Sequence, residues 1–328
     1  MSKRVLIVGC GQLGSRHLQA IVQIADIAEI FVFDPHPQAL KMGQARVAEV
    51  PQANRNLKIT WDTELRSDFS SGDLCINAMQ AQNRCAMVQR VYEELGYRNF
   101  LIEKVVSQSV EEYESLLNFS STNRLSIRVN CKSRAYGIHQ YIKSKLNPEE
   151  PIIFSAVAGN HGLANNGVHE ADLFVFHDGC REMILTGQRI DQKLHSSKRG
   201  GSIHDLTGTL TAVSEKGSEC IISFDFGHTA PDTLFLLSAS CRFMVDHFTK
   251  FALESYAKDN WTWKQVPIHE DWMVSFMTKQ FAGDILRTGT CALPTLKDCY
   301  PAHKFILNAL LPHFHQLLDK ELEYCPVT

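Results

Sequence analysis

An apolar run near the start of the chain, Val5-Leu6-Ile7-Val8, leads directly into three glycines at G-x-G-x-x-G spacing: Gly9, Gly11 and Gly14. A helical pattern through Leu18, Ile21 and Val22 follows at once. Strand, glycine turn and helix in that order constrain the fold strongly, because each glycine has its own geometric task. Gly9 permits the tight turn, Gly11 lets a pyrophosphate approach the backbone, and Gly14 lets the helix pack closely on its strand. Gln12 and Leu13 complete the loop. The helix N-terminus then offers unpaired N–H groups and the positive end of its dipole to an anion. The expected ligand is a dinucleotide.

Asp34 narrows that expectation. It lies 20 residues past Gly14, at the end of a second apolar strand, Ile30-Phe31-Val32-Phe33. A carboxylate there accepts hydrogen bonds from a ribose hydroxyl and repels a 2′-phosphate, so NAD is expected, with NADP as the alternative. Ala78 and Met79, at the exit of a strand over Leu74–Asn77, fall where the nicotinamide ribose would run. Glu103 and Lys104 end the next strand on the same edge as the glycine loop.

Up to about residue 130 short apolar strands alternate with helices, which predicts a doubly wound parallel sheet. The strands are expected at Val5–Val8, Ile30–Phe33, Leu57–Thr60, Leu74–Asn77, Phe100–Ile102 and Leu125–Val129. Helices are expected at Arg84–Leu95 and at Val110–Phe119, the second opened by a Ser109–Glu112 capping box. A further helix near Tyr136–Leu146 ends at the prolines of 148–151. Beyond 150, strand-like runs recur at Ile152–Val157, Thr207–Val213, Cys220–Phe226, Leu234–Ser240 and Phe243–Phe248, with one helix near Val168–Phe176 between them. This predicts an α+β domain with a large, open, mainly antiparallel sheet. Helices near Trp272–Leu286 and Leu296–Leu317 close the chain, and the polar stretch Gln192–Ile203 reads as a mobile loop. The expected division is a dinucleotide-binding Rossmann domain over 1–126 and a substrate-binding and oligomerisation domain over 127–328.

Composition excludes several classes. The 328 residues are 44% hydrophobic and 21% charged, with a formal net charge of −3. Nothing there points to nucleic acid or an anionic membrane surface as partner. No apolar run reaches the ~20 residues of a bilayer span, and a strand begins by residue 5, so a cytoplasmic protein is expected. The ten cysteines fall singly with no C-x-x-C pair, as expected of reduced core residues. His161, His169 and His177 recur every eight residues, but Gly162 and Gly167 argue against a helix over 161–167 and no acidic or thiolate partner sits at ligand spacing. No metal is expected.

The glycine turn followed by His17, the Glu103-Lys104 pair, and Gly167-Val168-His169-Glu170-Ala171-Asp172 together resemble the glucose-fructose oxidoreductase/inositol dehydrogenase (Gfo/Idh/MocA) family over most of the chain. The resemblance implies NAD(P)-dependent oxidation or reduction of a sugar, polyol or related compound, and a homo-oligomer, dimer or tetramer, formed through the open sheet. The chain departs from the family at three places. Val105 stands where Glu-Lys-Pro is common, Asn165 replaces the acidic residue four before His169, and Arg84 replaces a frequent histidine. Some of these variations are similar to members associated with bacterial surface-sugar pathways.

By this resemblance Lys104 and His169 handle the hydroxyl proton, and both contact substrate. A lysine beside oxidised nicotinamide loses some preference for its ammonium form. Histidine, with an ordinary pKa near ~6.5, suits proton exchange at neutral pH. Asn165, one helical turn before His169, would orient the imidazole or bind a sugar hydroxyl but supplies no charge. Arg134 is a candidate for an anionic substrate group, and His161 for the substrate pocket. The competing functions are a non-catalytic, cofactor-binding regulator and an enzyme using bound NAD for elimination or hydrolysis through transient oxidation.

Overall fold

Val5, Leu6, Ile7 and Val8 are fully buried, as an apolar run without alternation must be when helices cover both faces of its sheet. The computed structural model describes residues 2–197, 200 and 202–328. From the N-terminus come β1 (Lys3–Val8), α1 (Gly14–Ile21), β2 (Ile27–Phe33), α2 (Pro37–Ala48), β3 (Lys58–Asp62), β4 (Leu74–Asn77), α3 (Arg84–Leu95), β5 (Asn99–Ile102), α4 (Val110–Thr122) and β6 (Ser126–Val129). Next follow α5 (Gly137–Lys145), β7 (Ile153–Gly159), α6 (Leu163–Asp178), β8 (Met183–Ile190), β9 (His195–Ser196), β10 (His204–Asp205), β11 (Gly208–Ser214) and β12 (Glu219–Asp225). The chain ends with β13 (Thr233–Leu237), β14 (Cys241–Asp246), β15 (Phe251–Tyr256), β16 (Lys264–Pro267), α7 (Val274–Thr288) and α8 (Leu296–Leu318).

Two units result. The first comprises Met1–Ser107, Glu111–Asn130 and Asp271–Leu296. Its six parallel strands run in the order β3-β2-β1-β4-β5-β6, so the order reverses beside β1, where β1 pairs with both β2 and β4. Ligands of such sheets collect outside the carboxyl ends of the strands at that point. The first unit thus includes α7, which differs from the expected division at 126/127. The physical reason is its apolar face, with Phe281, Ala282 and Ile285 buried, and its packing against α1.

The second unit comprises Gln108–Val110, Cys131–Glu270 and Lys297–Thr328. Its eight-stranded sheet has the order β16-β15-β14-β13-β7-β12-β11-β8, antiparallel except for the β7–β12 pair. Strands such as β11 and β14 alternate buried and half-buried residues, and α6 packs against β12. On the alternate positions of β7 and β13, Ile153, Val157, Phe235 and Leu237 are exposed.

Three strands of the eight-stranded sheet, β8, β15 and β16, escaped the sequence reading, as did the short β9 and β10. The polar 192–203 stretch contains β9, which pairs with β10, rather than being wholly loop; Lys198, Arg199 and Gly201 within it lie outside the described residues. The argument against helix over 161–167 also fails, since α6 starts at Leu163. Its first amides find an acceptor in another segment: the Asp205 carboxylate takes N–H bonds from Ala164 and Asn165 at 2.9 and 3.2 Å. No helix among the described residues is long and apolar enough to cross a membrane.

Candidate functional site

In the first unit the glycine turn follows β1, and Gly9 has φ +84°, a conformation that penalises a side chain. A Cβ on Gly14 would lie 1.8 Å from the Gly9 carbonyl oxygen, so the turn closes only with glycine there. Gly11 is different: a Cβ on it would meet no protein atom within 4 Å. The chain's own packing therefore does not require glycine at position 11. Leu13 provides no side-chain cap for α1, and the first turn of α1 holds no acidic residue.

Asp34 follows β2 and reaches the turn directly. Its Oδ2 accepts the Cys10 N–H at 2.7 Å, and its Oδ1 accepts the His36 N–H at 2.9 Å. Ala78 continues the strand pairing by donating its N–H to the Val8 carbonyl at 2.8 Å, and Asn77 Oδ1 accepts the Met79 N–H at 3.2 Å. The exits of β1, β2 and β4 thus lie together. Arg46 of α2, which the sequence reading missed, clasps the loop by donating to the Gln12 carbonyl and to Ser15 Oγ. A basic residue in the last turn of a helix carries no local signal of such a role.

The Glu103-Lys104 pair divides its labour. Glu103 points into the protein, where His17 Nε2 donates to its Oε1 at 2.8 Å and Asn130 Nδ2 donates to the same oxygen. The other His17 nitrogen, Nδ1, lies 2.8 Å from Thr278 Oγ1 of α7. Burial alone would push the Glu103 carboxyl up, but the His17 and Asn130 hydrogen bonds and the Arg84 charge outweigh it and hold the carboxyl below its ordinary value. Two anchors of the family resemblance, His17 and Glu103, are therefore one buried cluster that fixes the chain beside Lys104. Lys104 is itself buried, and the Lys104–Val105 peptide is cis.

Arg84, noted from sequence only as a departure, opens α3 and is 1% exposed. Its guanidinium donates to the Met79 and Val105 carbonyls, tying the exit of β4 to the segment after β5. It fixes the backbone immediately after Lys104. A buried arginine with an oriented five-donor fork does what a histidine could not.

In the second unit α6 carries Asn165 and His169 one turn apart. The Asn165 side chain is committed to structure: Nδ2 donates to the His204 carbonyl at 2.9 Å, and Oδ1 accepts the Thr328 N–H at 2.9 Å. His161 precedes the helix, its Nδ1 2.9 Å from the Gly159 carbonyl oxygen and its ring beside Phe224. Arg134 forms a two-pronged ion pair with Asp172 of α6, and its Nη2 also donates to the Asp298 carbonyl at 2.9 Å. Burial outweighs that guanidinium and lifts Asp172 to about 6. Glu170, on the same helix, is pushed up to about 7 by burial, against the charge of His247 and with Asp232 and Asp172 adding to the rise.

Two polar clusters of this unit were not visible in the sequence. His139 Nδ1 lies 3.1 Å from His177 Nε2, His139 Nε2 lies 2.7 Å from His247 Nε2, and His247 Nδ1 bonds Asp232. Cys131, Asp172 and Cys299 bring ligand-type atoms within 4.8 Å of one another. The hydrogen bond with Cys299, burial and the Asp172 charge push the Cys131 thiol up, and Asp172 is already engaged by Arg134.

Solved structures share this architecture. A UDP-N-acetylglucosamine 3-dehydrogenase, GnnA, from Acidithiobacillus ferrooxidans matches with a TM-score of 0.70 at 13% identity, covering 99% of this chain and 98% of its own. An oxidoreductase from Agrobacterium radiobacter in complex with NAD+, L-tartaric acid and magnesium matches at 0.71 and 13% identity, over 93% and 94% of the two chains. A mutant of KijD10, a 3-ketoreductase from Actinomadura kijaniata, in complex with TDP-benzene and NADP, matches at 0.69 and 13%, over 94% and 96%. No family model and no curated protein matches the sequence. The two-unit fold, a Rossmann-like parallel sheet and a mainly antiparallel sheet, is the one these oxidoreductases share with this chain.

Proposed function

We propose that this chain is an NAD(P)-dependent oxidoreductase, of the Gfo/Idh/MocA type, acting on a hydroxyl or keto group of a sugar or sugar derivative. The observation that carries the proposal is the convergence, at one edge of one parallel sheet, of the glycine turn, Asp34, Ala78-Met79 and Lys104. The residues fit a dinucleotide on the chain's own geometry. Position 11 is glycine although nothing in the protein crowds it, and α1 begins without a side-chain cap. Gly9, Gly11, Gln12, Leu13 and Gly14 would cradle the pyrophosphate, Asp34 would meet the adenosine ribose, and Ala78, Met79 and Lys104 would line the nicotinamide end, held in place by Glu103.

The cofactor, when bound, supplies the hydride acceptor or donor. The chain's residues manage the proton. In the oxidative direction a base must take the hydroxyl proton, and a hydrogen-bond donor must favour the forming carbonyl oxygen. Lys104 and His169 take these two parts. The Asn165 amide holds the start of α6 and itself supplies no charge. His161 remains a candidate substrate contact, whereas the Arg134 guanidinium is held by Asp172.

GnnA acts on UDP-N-acetylglucosamine, so a panel of hexoses, polyols, sugar acids and nucleotide sugars, offered with NAD+ and with NADP+, is the direct test. Net reduced cofactor with one of them is expected; turnover without it would favour elimination or hydrolysis instead. Asp34→Ala should weaken NAD more than NADP in a fluorescence titration, and a wild type that already prefers NADP would overturn the ribose assignment. A homo-oligomer is part of the proposal. The occupant of the outer face of the second sheet, with Ile153, Val157, Phe235 and Leu237 exposed, is a second copy of the chain. A monomer in light scattering would remove this part.

A further inference from the structure

The second unit contains a cavity of about 710 Å3 between the end of α6, the start of α8 and α5. Four basic residues line it, Arg134, Lys143, Arg181 and Lys297, against one acid, Asp298, in a chain whose net charge is −3. Cations at the end of a helix commonly serve its last carbonyls. Lys143 does so, donating to the His177 carbonyl at 2.9 Å, but that duty does not account for the other three. Arg134 is fixed by Asp172 through Nε and Nη2, which leaves Nη1 without a protein partner. Arg181 and Lys297 have no ion-pair partner among the described residues and are exposed. Burial lowers the Lys143 pKa, and the positive charges of Lys216 and Arg134 lower it further.

The organic side of the ligand is indicated by the walls. Phe176 lies under the Lys143 ammonium, and Tyr300 lines the other side. A second cavity of about 220 Å3 shares Arg181, Tyr300 and Pro301 with the first, and Met183, Leu185 and Phe305 form its apolar part. Together these give a basic chamber beside one of mixed lining, with Glu182 and Lys304 among its polar residues. The larger volume alone falls in the usual range for small-molecule sites.

We propose that this paired cavity binds a small organic phosphate ester. The phosphate sits among Arg134, Lys143, Arg181 and Lys297, and the organic group lies toward Tyr300. The fixed guanidinium supplies directed donors, and the lysines supply point charge. The first amides of α8 add a favourable field. This site lies wholly within the second unit and does not depend on the proposed hydride transfer.

The test is calorimetric titration with inorganic pyrophosphate and with ADP, in wild type, in Gly11→Val and in the double variant Arg181→Glu/Lys297→Glu. Gly11→Val obstructs the glycine turn without meeting protein atoms, so binding that it retains belongs elsewhere. Arg181 and Lys297 are surface positions, and Arg134 is left intact because its removal would strand buried Asp172. Pyrophosphate should bind wild type and Gly11→Val, more weakly as salt rises. The double variant should lose at least tenfold in affinity with an unchanged unfolding midpoint. No binding to Gly11→Val, or undiminished binding to the double variant, overturns the proposal. ADP binding Gly11→Val no tighter than pyrophosphate overturns the ester assignment. If Gly11→Val leaves NAD binding unchanged, the cofactor proposal fails and this one is still judged by the charge-reversal pair.

Discussion

The helices α1 and α6 both begin beside candidate site residues, and they satisfy their first amides in different ways. The start of α1 has no side-chain cap and no acid in its first turn, although the strands around it are fully buried. The start of α6 is closed by Asp205, whose carboxylate also takes the Leu206 N–H at 3.0 Å. An uncapped helix end in a well-bonded unit is a place for an anion that the chain does not itself supply. A helix end already holding a carboxylate is not. Hence the start of α1 offers backbone N–H groups and the helix dipole to an anion, whereas the start of α6 does not.

The sharpest test of this contrast is Lys104→Ala. It should abolish turnover while NAD binding stays within a few-fold, since the backbone cradle is untouched; retained turnover would break the catalytic assignment. Glu103→Ala comes next, and it should act through stability. Two buried donors, His17 and Asn130, lose their acceptor, at a cost of roughly 2–6 kcal/mol given about 1–3 for each. A carboxyl held below its ordinary value stabilises the fold above the unfolded pKa, and that contribution is lost as pH falls through the folded value. The acid limb of the unfolding curve of Glu103→Ala should therefore be flatter than that of wild type; an identical limb would remove Glu103 from this role.

For α6, Asn165→Ala should cost about 1–3 kcal/mol in chemical denaturation, because it breaks both the His204 and the Thr328 contacts. Asn165→Asp keeps an acceptor for Thr328 but loses the donor for His204 and sets a second carboxylate beside buried Asp205, so it should cost at least as much. It should also move the His169 limb of the pH–rate profile upward, since a carboxylate favours imidazolium. If both variants are as stable as wild type, Asn165 is not the structural tie described here. The smallest effect is expected of Glu170→Gln. Glu170 titrates near 7 in the folded chain against 4.5 ordinarily, so the folded state binds the extra proton and stability falls as pH rises through about 4.5 to 7. Glu170→Gln should remove that slope and gain on wild type above pH 7; an unchanged slope would show that the His247 charge cancels the burial.

The unequal legibility of the two units follows from the same physics. Parallel strands covered on both faces are continuous apolar runs, so β1, β2, β4 and β5 could be read directly. The three missed strands of the eight-stranded sheet lie at or next to its edges. There Gln188 and Arg189 of β8, and Lys264 and Gln265 of β16, face solvent and carry no hydrophobic pattern. Gly9 through Gly14 and Asp34 were legible because a backbone requirement dictates the residue type. The Arg84 tie, the Arg46 clasp and the Asp205 cap were not, because each joins positions with no short-range relation in the chain. The early start of α6 was missed for that last reason: its cap comes from 40 residues downstream of Asn165.

One consequence concerns synthesis. The first unit takes its last helix, α7, from residues after β16, and Thr278 of that helix meets His17. Chains emerge N-terminus first, at about 5–20 residues per second. The parallel sheet can therefore assemble early, but the apolar side of α1 waits uncovered while some 140 residues of the second unit are made. An N-terminal fragment ending at Asn130 would keep that side exposed and be prone to aggregate. The unit that leaves the ribosome first is the one finished late.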